Sequence, residues 1–109
     1  MEGPNYLKPA VADEAREAAA RLLEPDADVY WRAVDVSNVI SRALPDETPG
    51  RLYIVWAELT DMWELHVERR SKAESLMREA AEEFVAISDY QSELDGYLTR
   101  WCERLRIPD

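Results

Sequence analysis

An apolar stripe that advances by four and three residues in turn runs through the second half of the chain. Each residue turns an α-helix by about 100°, so these steps keep the side chains on one side of a helix. The stripe therefore predicts helices packed against helices, with no strands. Its members are Leu52, Trp56, Leu59, Trp63, His66, Arg70, Ala73, Met77, Ala80, Phe84, Ile87, Gln91, Leu94, Leu98, Trp101 and Leu105.

Glycine and cysteine are scarce, with three glycines and one cysteine among 109 residues. Scarce glycine argues against β folds built from hairpins. A lone cysteine, Cys102, excludes an intrachain disulfide and a cysteine-based metal site, and we expect a packed, inert thiol. The first residues resemble no signal peptide, and the longest apolar run, 52–57, is too short to span a bilayer, so we expect a cytoplasmic protein.

Acidic residues outnumber basic ones by 23 to 13, which gives a net charge of −10 spread along the whole chain. Such a field repels phosphate backbones and anionic lipids, so we expect no nucleic-acid or membrane partner. It would accelerate the encounter with a basic protein. Solubility alone is the other explanation for the charge.

The first half of the chain is expected to form two helices after a flexible lead-in at residues 1–8. Helix one should begin near Pro9 and stop before Pro25, since proline suits a first turn and breaks an interior. Helix two should follow an aspartate cap at Asp26 or Asp28 and run to about Leu44. Residues 9–107 are expected to make a single helical domain.

The second half should contain two or three helices. Thr48 and Pro49 predict the start of helix three, which is apolar all round at 52–57 and so should be the central element. A turn is expected near Arg69–Ser71, because Ser71-x-x-Glu74 fits a capping box. The next helix either breaks near Ser88–Gln91 or continues to Arg106.

The fold predicted from these boundaries is all-α: a compact bundle of four or five helices, mainly antiparallel, with helix three central. His66 lies on the inward stripe, so we expect a packed, hydrogen-bonded core histidine. The expected core residues are Val36, Ile40, Leu52, Val55, Trp56, Leu59, Trp63, Met77, Phe84, Leu98 and Trp101.

Catalytic and metal-binding patterns are weak in this sequence. Pairs of acids three residues apart, as in helical magnesium-dependent nucleotide hydrolases, occur at Glu14-x-x-Glu17, Glu58-x-x-Asp61 and Glu79-x-x-Glu82. In a chain with 23 acids such spacings arise by chance, and Asp61 points away from the stripe. We therefore expect no enzyme activity, no metal site and no cofactor.

Two aromatic residues fall outside the apolar face of helix two, namely Tyr30 and Trp31. Either this helix is buried on two sides, or it carries an aromatic patch at the surface, where such residues anchor partners. On the second reading the partner-binding residues are Tyr30 and Trp31, together with the outward acids Asp61, Glu64 and Glu68.

The favoured function is a non-enzymatic, protein-binding module that masks a basic partner. In size, charge and helical content the chain is similar to small acidic immunity proteins and antitoxins, which neutralise toxins; no motif carries this likeness. A self-associating helical module, such as a homodimer, is the first alternative. A magnesium-dependent nucleotide hydrolase is the second.

Overall fold

Helices account for most of the described chain, which a computed structural model gives for residues 9–43, 50–87 and 90–107. No strand occurs in these ranges, so the predicted all-α class is confirmed. The lead-in at 1–8 lies outside the described residues. The elements are α1 (Pro9–Leu22), α2 (Val29–Ala43), α3 (Arg51–Leu65), a short 3-10 helix (Val67–Arg69), α4 (Arg70–Val85) and α5 (Tyr90–Leu105).

The N-terminal ends of α1 and α2 form at the proline and the aspartate cap that the sequence predicts. Helix α1 begins at Pro9, and α2 begins after Asp28, whose carboxylate accepts the backbone N–H of Trp31 at 3.3 Å. That bond satisfies one of the free donors at the helix N-terminus. The predicted start of helix three at Thr48 and Pro49 lies outside the described residues, and α3 begins at Arg51.

The junction between α3 and α4 differs from the predicted capping box. Helix α3 ends at Leu65, a 3-10 turn follows, and α4 begins at Arg70 with Arg69 at the N-cap. The turn predicted near Arg69–Ser71 is therefore present, two residues earlier, at Val67–Arg69. Ser71 is already inside α4 and cannot be its cap, because the backbone bond from Arg69 N–H to the His66 carbonyl, at 2.8 Å, closes the turn first.

Of the two alternatives for the last part of the chain, a break rather than a continuous helix is observed. Helix α4 ends at Val85, and α5 is a separate helix from Tyr90 onwards. The α4 end is tied to α1 by Arg16, whose guanidinium donates to the Ile87 carbonyl. A cation at a helix C-terminus is favourable because the last carbonyls of a helix carry partial negative charge.

A single cluster of buried side chains lies between the helices. Every predicted core residue belongs to it except Trp63, which is only partly buried at its edge. The expectation for His66 is wrong: its side chain is 49% exposed. The helix ends one residue before it, so the helical period that placed His66 inward no longer applies there.

Helix α4 packs against each of the other four helices, whereas α3 packs chiefly against α2, α4 and α5. The prediction that helix three is the central element therefore stays a prediction.

Small side chains line the α1 and α4 faces, where fully buried alanines let the helix backbones approach closely. They are Ala12, Ala15 and Ala19 on α1, and Ala73, Ala80 and Ala81 on α4.

Gly96 offers a direct test of helix propensity in α5. It is exposed, and a Cβ added there would meet only the Arg100 guanidinium, at an ordinary 3.7 Å. We expect Gly96→Ala to raise the free energy of unfolding by roughly 0.5–1 kcal/mol, because alanine loses less backbone entropy in a helix. Urea unfolding followed by circular dichroism measures this. A loss of stability would show that α5 is not helical at this position.

Candidate functional site

Helix α2 presents aromatic residues to the surface. Its apolar face, which includes Val29, Ala33 and Val36, is buried. Tyr30 is half-buried, and Trp31 is 60% exposed. Of the two alternatives for this helix, the surface patch is therefore the one observed, since Trp31 is not covered by a second packing face.

Four side chains from three helices form what we call the aromatic stack: Trp31, Tyr30, Trp63 and Arg70. Trp31 packs edge-to-face on Tyr30, with ring centroids 5.1 Å apart. Tyr30 lies nearly parallel to Trp63, with centroids 4.1 Å apart and planes inclined by 17°. The Arg70 guanidinium carbon lies 3.7 Å from the centroid of the Trp63 ring. The geometry combines aromatic and cation–π contacts in one continuous arrangement.

Hydrogen bonds fix the inner members of the stack. The Tyr30 hydroxyl donates to Glu64 at 2.5 Å, and the Trp63 indole N–H donates to Glu74 at 2.9 Å. Arg70 donates through Nε to the Trp63 carbonyl at 3.0 Å, near the end of α3. Because both sides of each inner ring are held, the stack is pre-organised, and a partner would not have to order it on binding.

Negative charges outweigh positive ones around the Tyr30 hydroxyl. The Glu64 hydrogen bond raises the pKa of Tyr30 above its ordinary value of 10.0, with further upward contributions from desolvation and from the charges of Glu64 and Asp61. Arg70 acts in the opposite direction and does not outweigh them. The carboxylates around Tyr30 therefore dominate over the one guanidinium in the stack.

This pKa leads to a titration prediction. A phenol whose pKa is raised by folding contributes stability below about pH 10, and that contribution is lost as the pH rises through the folded-state pKa. We expect Tyr30 to ionise later than an ordinary tyrosine, and Glu64→Gln to lower its pKa. The difference in tyrosinate absorbance between the wild type and Tyr30→Phe isolates this group. Glu58→Gln removes an exposed carboxylate from α3, the helix that carries Glu64, and should leave the pKa of Tyr30 unchanged. An equal shift of the Tyr30 pKa in both variants would contradict the assignment to Glu64.

The structure brings together most of the predicted partner-binding residues. Tyr30, Trp31 and Glu64 are joined by direct contacts, and Asp61 is exposed and acts on Tyr30 through its charge. Glu68 makes no direct contact with these residues that the structure describes: it lies in the 3-10 turn, with a carboxylate oxygen 3.7 Å from His66 Nδ1. Four of the five predicted residues are therefore linked by contact or charge.

Sequence reasoning missed three members of this site: Trp63, Arg70 and Glu74. Trp63 is among the expected core residues, and Arg70 is a charged residue that interrupts the apolar stripe. That interruption was the available signal, since an arginine on an otherwise apolar stripe requires an acceptor or an aromatic face. Glu74 was expected to complete a capping box but instead holds the indole of Trp63.

Two further apolar side chains are exposed at the corner between α3 and α4. Leu65 is 72% exposed and Val67 is 66% exposed. They flank His66 in the segment that joins Trp63 to Arg70 along the chain. Exposed apolar side chains on an acidic protein are candidate contact residues when they occur beside an ordered aromatic cluster.

The acid pairs considered for magnesium are spread over exposed helix surfaces. Glu14 binds Arg42 at 3.0 Å, and Glu79 binds Arg104. Within the described ranges, no three metal-binding side chains converge. Cys102 is buried, as expected of a packed thiol.

Comparison with known proteins gives no relative: no family model matches the chain, and no curated protein or solved structure is significantly similar to it. None of the helices in the described residues combines the length and the apolar character that a bilayer span requires. The surface of the molecule, and above all the aromatic stack, is therefore the basis for inferring its function.

Proposed function

We propose that this chain is a non-enzymatic protein-binding module that masks a basic partner, and that the aromatic stack is the centre of its contact surface. The single observation that carries the proposal is Trp31, a large apolar side chain that is 60% exposed and yet packed against an ordered ring. Tryptophan and tyrosine are enriched among the residues that dominate binding energy.

The construction of the stack supports this role. Tyr30 and Trp63 are held from below by the core and from the sides by Glu64 and Glu74. A rigid aromatic platform loses little conformational entropy when a partner covers it, so more of the contact energy remains as affinity. Leu65 and Val67 are further exposed apolar side chains, on the chain segment between Trp63 and Arg70.

Charge supports a basic partner. The net charge is −10, and two carboxylates, those of Asp61 and Glu64, contribute to the negative potential at Tyr30. Complementary charge accelerates association, and salt screens it over about 10 Å at 0.1 M ionic strength. Binding by this surface should therefore weaken as salt is added.

Capture from an extract of the source cell tests the proposal. Immobilised wild-type protein should retain a basic protein at low salt and release it at high salt. Trp31→Ala should fail to retain it at low salt, while Thr99→Ala, at an exposed site on α5, should behave as the wild type. The identified partner is then assayed alone and with this chain, and its activity should fall in the complex. Retention that ignores both salt and Trp31→Ala would overturn the proposal.

Self-association is the second candidate, because the same exposed residues, Trp31, Leu65 and Val67, could pack between two copies. Sedimentation equilibrium over a range of concentrations separates the two functions. A dimer that dissociates on Trp31→Ala would assign the surface to a second copy. A monomer at all concentrations removes this candidate.

A further inference from the structure

We infer that the aromatic stack recognises an arginine side chain of its partner, which lies over the Trp31 indole. This inference rests on the proposed function and specifies the chemistry of the partner. The occupant is a protein segment that bears arginine, not one that is merely basic.

The molecule itself pairs arginine with tryptophan at two other places. Arg70 lies over Trp63 at 3.7 Å, and the indole N–H of Trp63 donates to Glu74. Arg104 lies over Trp101 at 4.3 Å, and the indole N–H of Trp101 donates to Glu83 at 3.0 Å. In both cases a guanidinium covers an indole that is flanked by a carboxylate.

Trp31 is a third tryptophan with a carboxylate near it, since Asp28 accepts its backbone N–H, but none of the described residues places a guanidinium over its ring. Its sequence neighbour Arg32 pairs with Asp35 at 3.2 Å. Arg70 packs over Trp63 at the other end of the stack and donates a hydrogen bond to the Trp63 carbonyl. The exposed indole of Trp31 is therefore open to a cation from another molecule.

Carboxylates near Trp31 are placed to pair with such a cation. Asp28 immediately precedes α2, and its carboxylate accepts the backbone N–H of Trp31. Asp61 and Glu64 act on Tyr30, the ring against which Trp31 packs. A guanidinium on this indole would meet an aromatic surface and a negative rim together.

Arginine suits this surface better than lysine does. The guanidinium is planar, stacks on aromatic rings and is weakly hydrated, and it can bond a carboxylate through two parallel N–H groups. An ammonium is a compact and strongly hydrated charge that gains less from a half-exposed ring. Discrimination between the two cations therefore distinguishes stacking from general electrostatic attraction.

Defined peptides provide the probe. A glycine–serine peptide with evenly spaced arginines is compared with its lysine and citrulline counterparts by isothermal titration calorimetry at low salt. We expect the arginine peptide to bind about threefold or more tightly than the lysine peptide, and the uncharged citrulline peptide to bind weakest. Trp31→Ala should weaken the arginine peptide about fivefold and abolish its preference over lysine.

Matched charge variants complete the test. Asp61→Asn should weaken the arginine peptide, whereas Asp13→Asn, which removes the same charge from an exposed site on α1, should change its affinity less than about twofold. Equal losses for both variants, or equal affinities of arginine and lysine peptides, would overturn the inference. If the cellular partner is still captured through Trp31 while no arginine preference is found, only the inference fails. If neither Trp31-dependent capture nor an arginine preference is found, the proposed function fails as well.

Discussion

Replacing Trp56 by alanine is expected to lower the free energy of unfolding by about 3–5 kcal/mol. Trp56 is fully buried in α3 and, with Trp101, is one of the two largest fully buried side chains of the described core. Its removal forfeits the transfer energy of the indole and leaves a cavity among residues that can collapse only partly. Urea unfolding of the purified variant, monitored by circular dichroism, gives the loss directly.

Two variants control this measurement. Trp56→Phe should lower the free energy of unfolding clearly less than Trp56→Ala does. The indole N–H of Trp56 has no hydrogen-bond partner among the described residues, so removing it leaves no buried acceptor unpaired. Trp31→Ala, at an exposed site, should stay within about 0.5 kcal/mol of the wild type. If Trp56→Ala were as mild as Trp31→Ala, the packing of α3 into the core would be wrong.

The class of the fold follows from the sequence because helical periodicity is a local property. A stripe with steps of four and three needs no knowledge of the partner helix, and it places Trp56, Phe84 and Trp101 inside correctly. The same reasoning fails where the backbone leaves the α-helix. A 3-10 turn at Val67–Arg69 changes the angular position of each residue, so the stripe is wrong at His66 but correct again inside α4, where Ala73 and Met77 are buried.

The candidate site is predictable in part. The off-face positions of Tyr30 and Trp31 follow from helix two alone, because both residues miss its apolar face. The contacts that complete the site join distant segments: Tyr30 meets Glu64 and stacks on Trp63 across the interface between α2 and α3. Those contacts depend on how two helices are aligned, which a single sequence does not encode in any local pattern.

Trp63 links the core to the surface. It is partly buried, packs against the edge of the buried cluster and supports Tyr30 on its outer side. The stripe was therefore correct in directing Trp63 towards the bundle, and wrong only in the depth of its burial. Trp63 therefore connects the exposed Trp31 to the core. Trp63 packs against the core, Tyr30 stacks on Trp63, and Trp31 packs on Tyr30.

We expect Trp63→Ala to lower the free energy of unfolding by about 2 kcal/mol, roughly half of a full core truncation, because the side chain is only partly buried. The same change should weaken partner binding, since Tyr30 and Trp31 lose their support. Arg70 provides the test of mechanism. In a double-mutant cycle, Trp63→Ala and Arg70→Ala should be coupled by about 1 kcal/mol if the guanidinium gains its stabilisation from the indole.

The conservative variant Trp63→Phe sharpens this result. It keeps a ring for Tyr30 and Arg70 but removes the indole N–H that donates to Glu74. Partner binding should therefore be largely preserved in Trp63→Phe and lost in Trp63→Ala, because the surface depends on stacking more than on that one hydrogen bond. Strictly additive effects of Trp63→Ala and Arg70→Ala, with binding unchanged in both, would mean that the stack does not act as a unit and that Trp31 stands on the surface without support from the core.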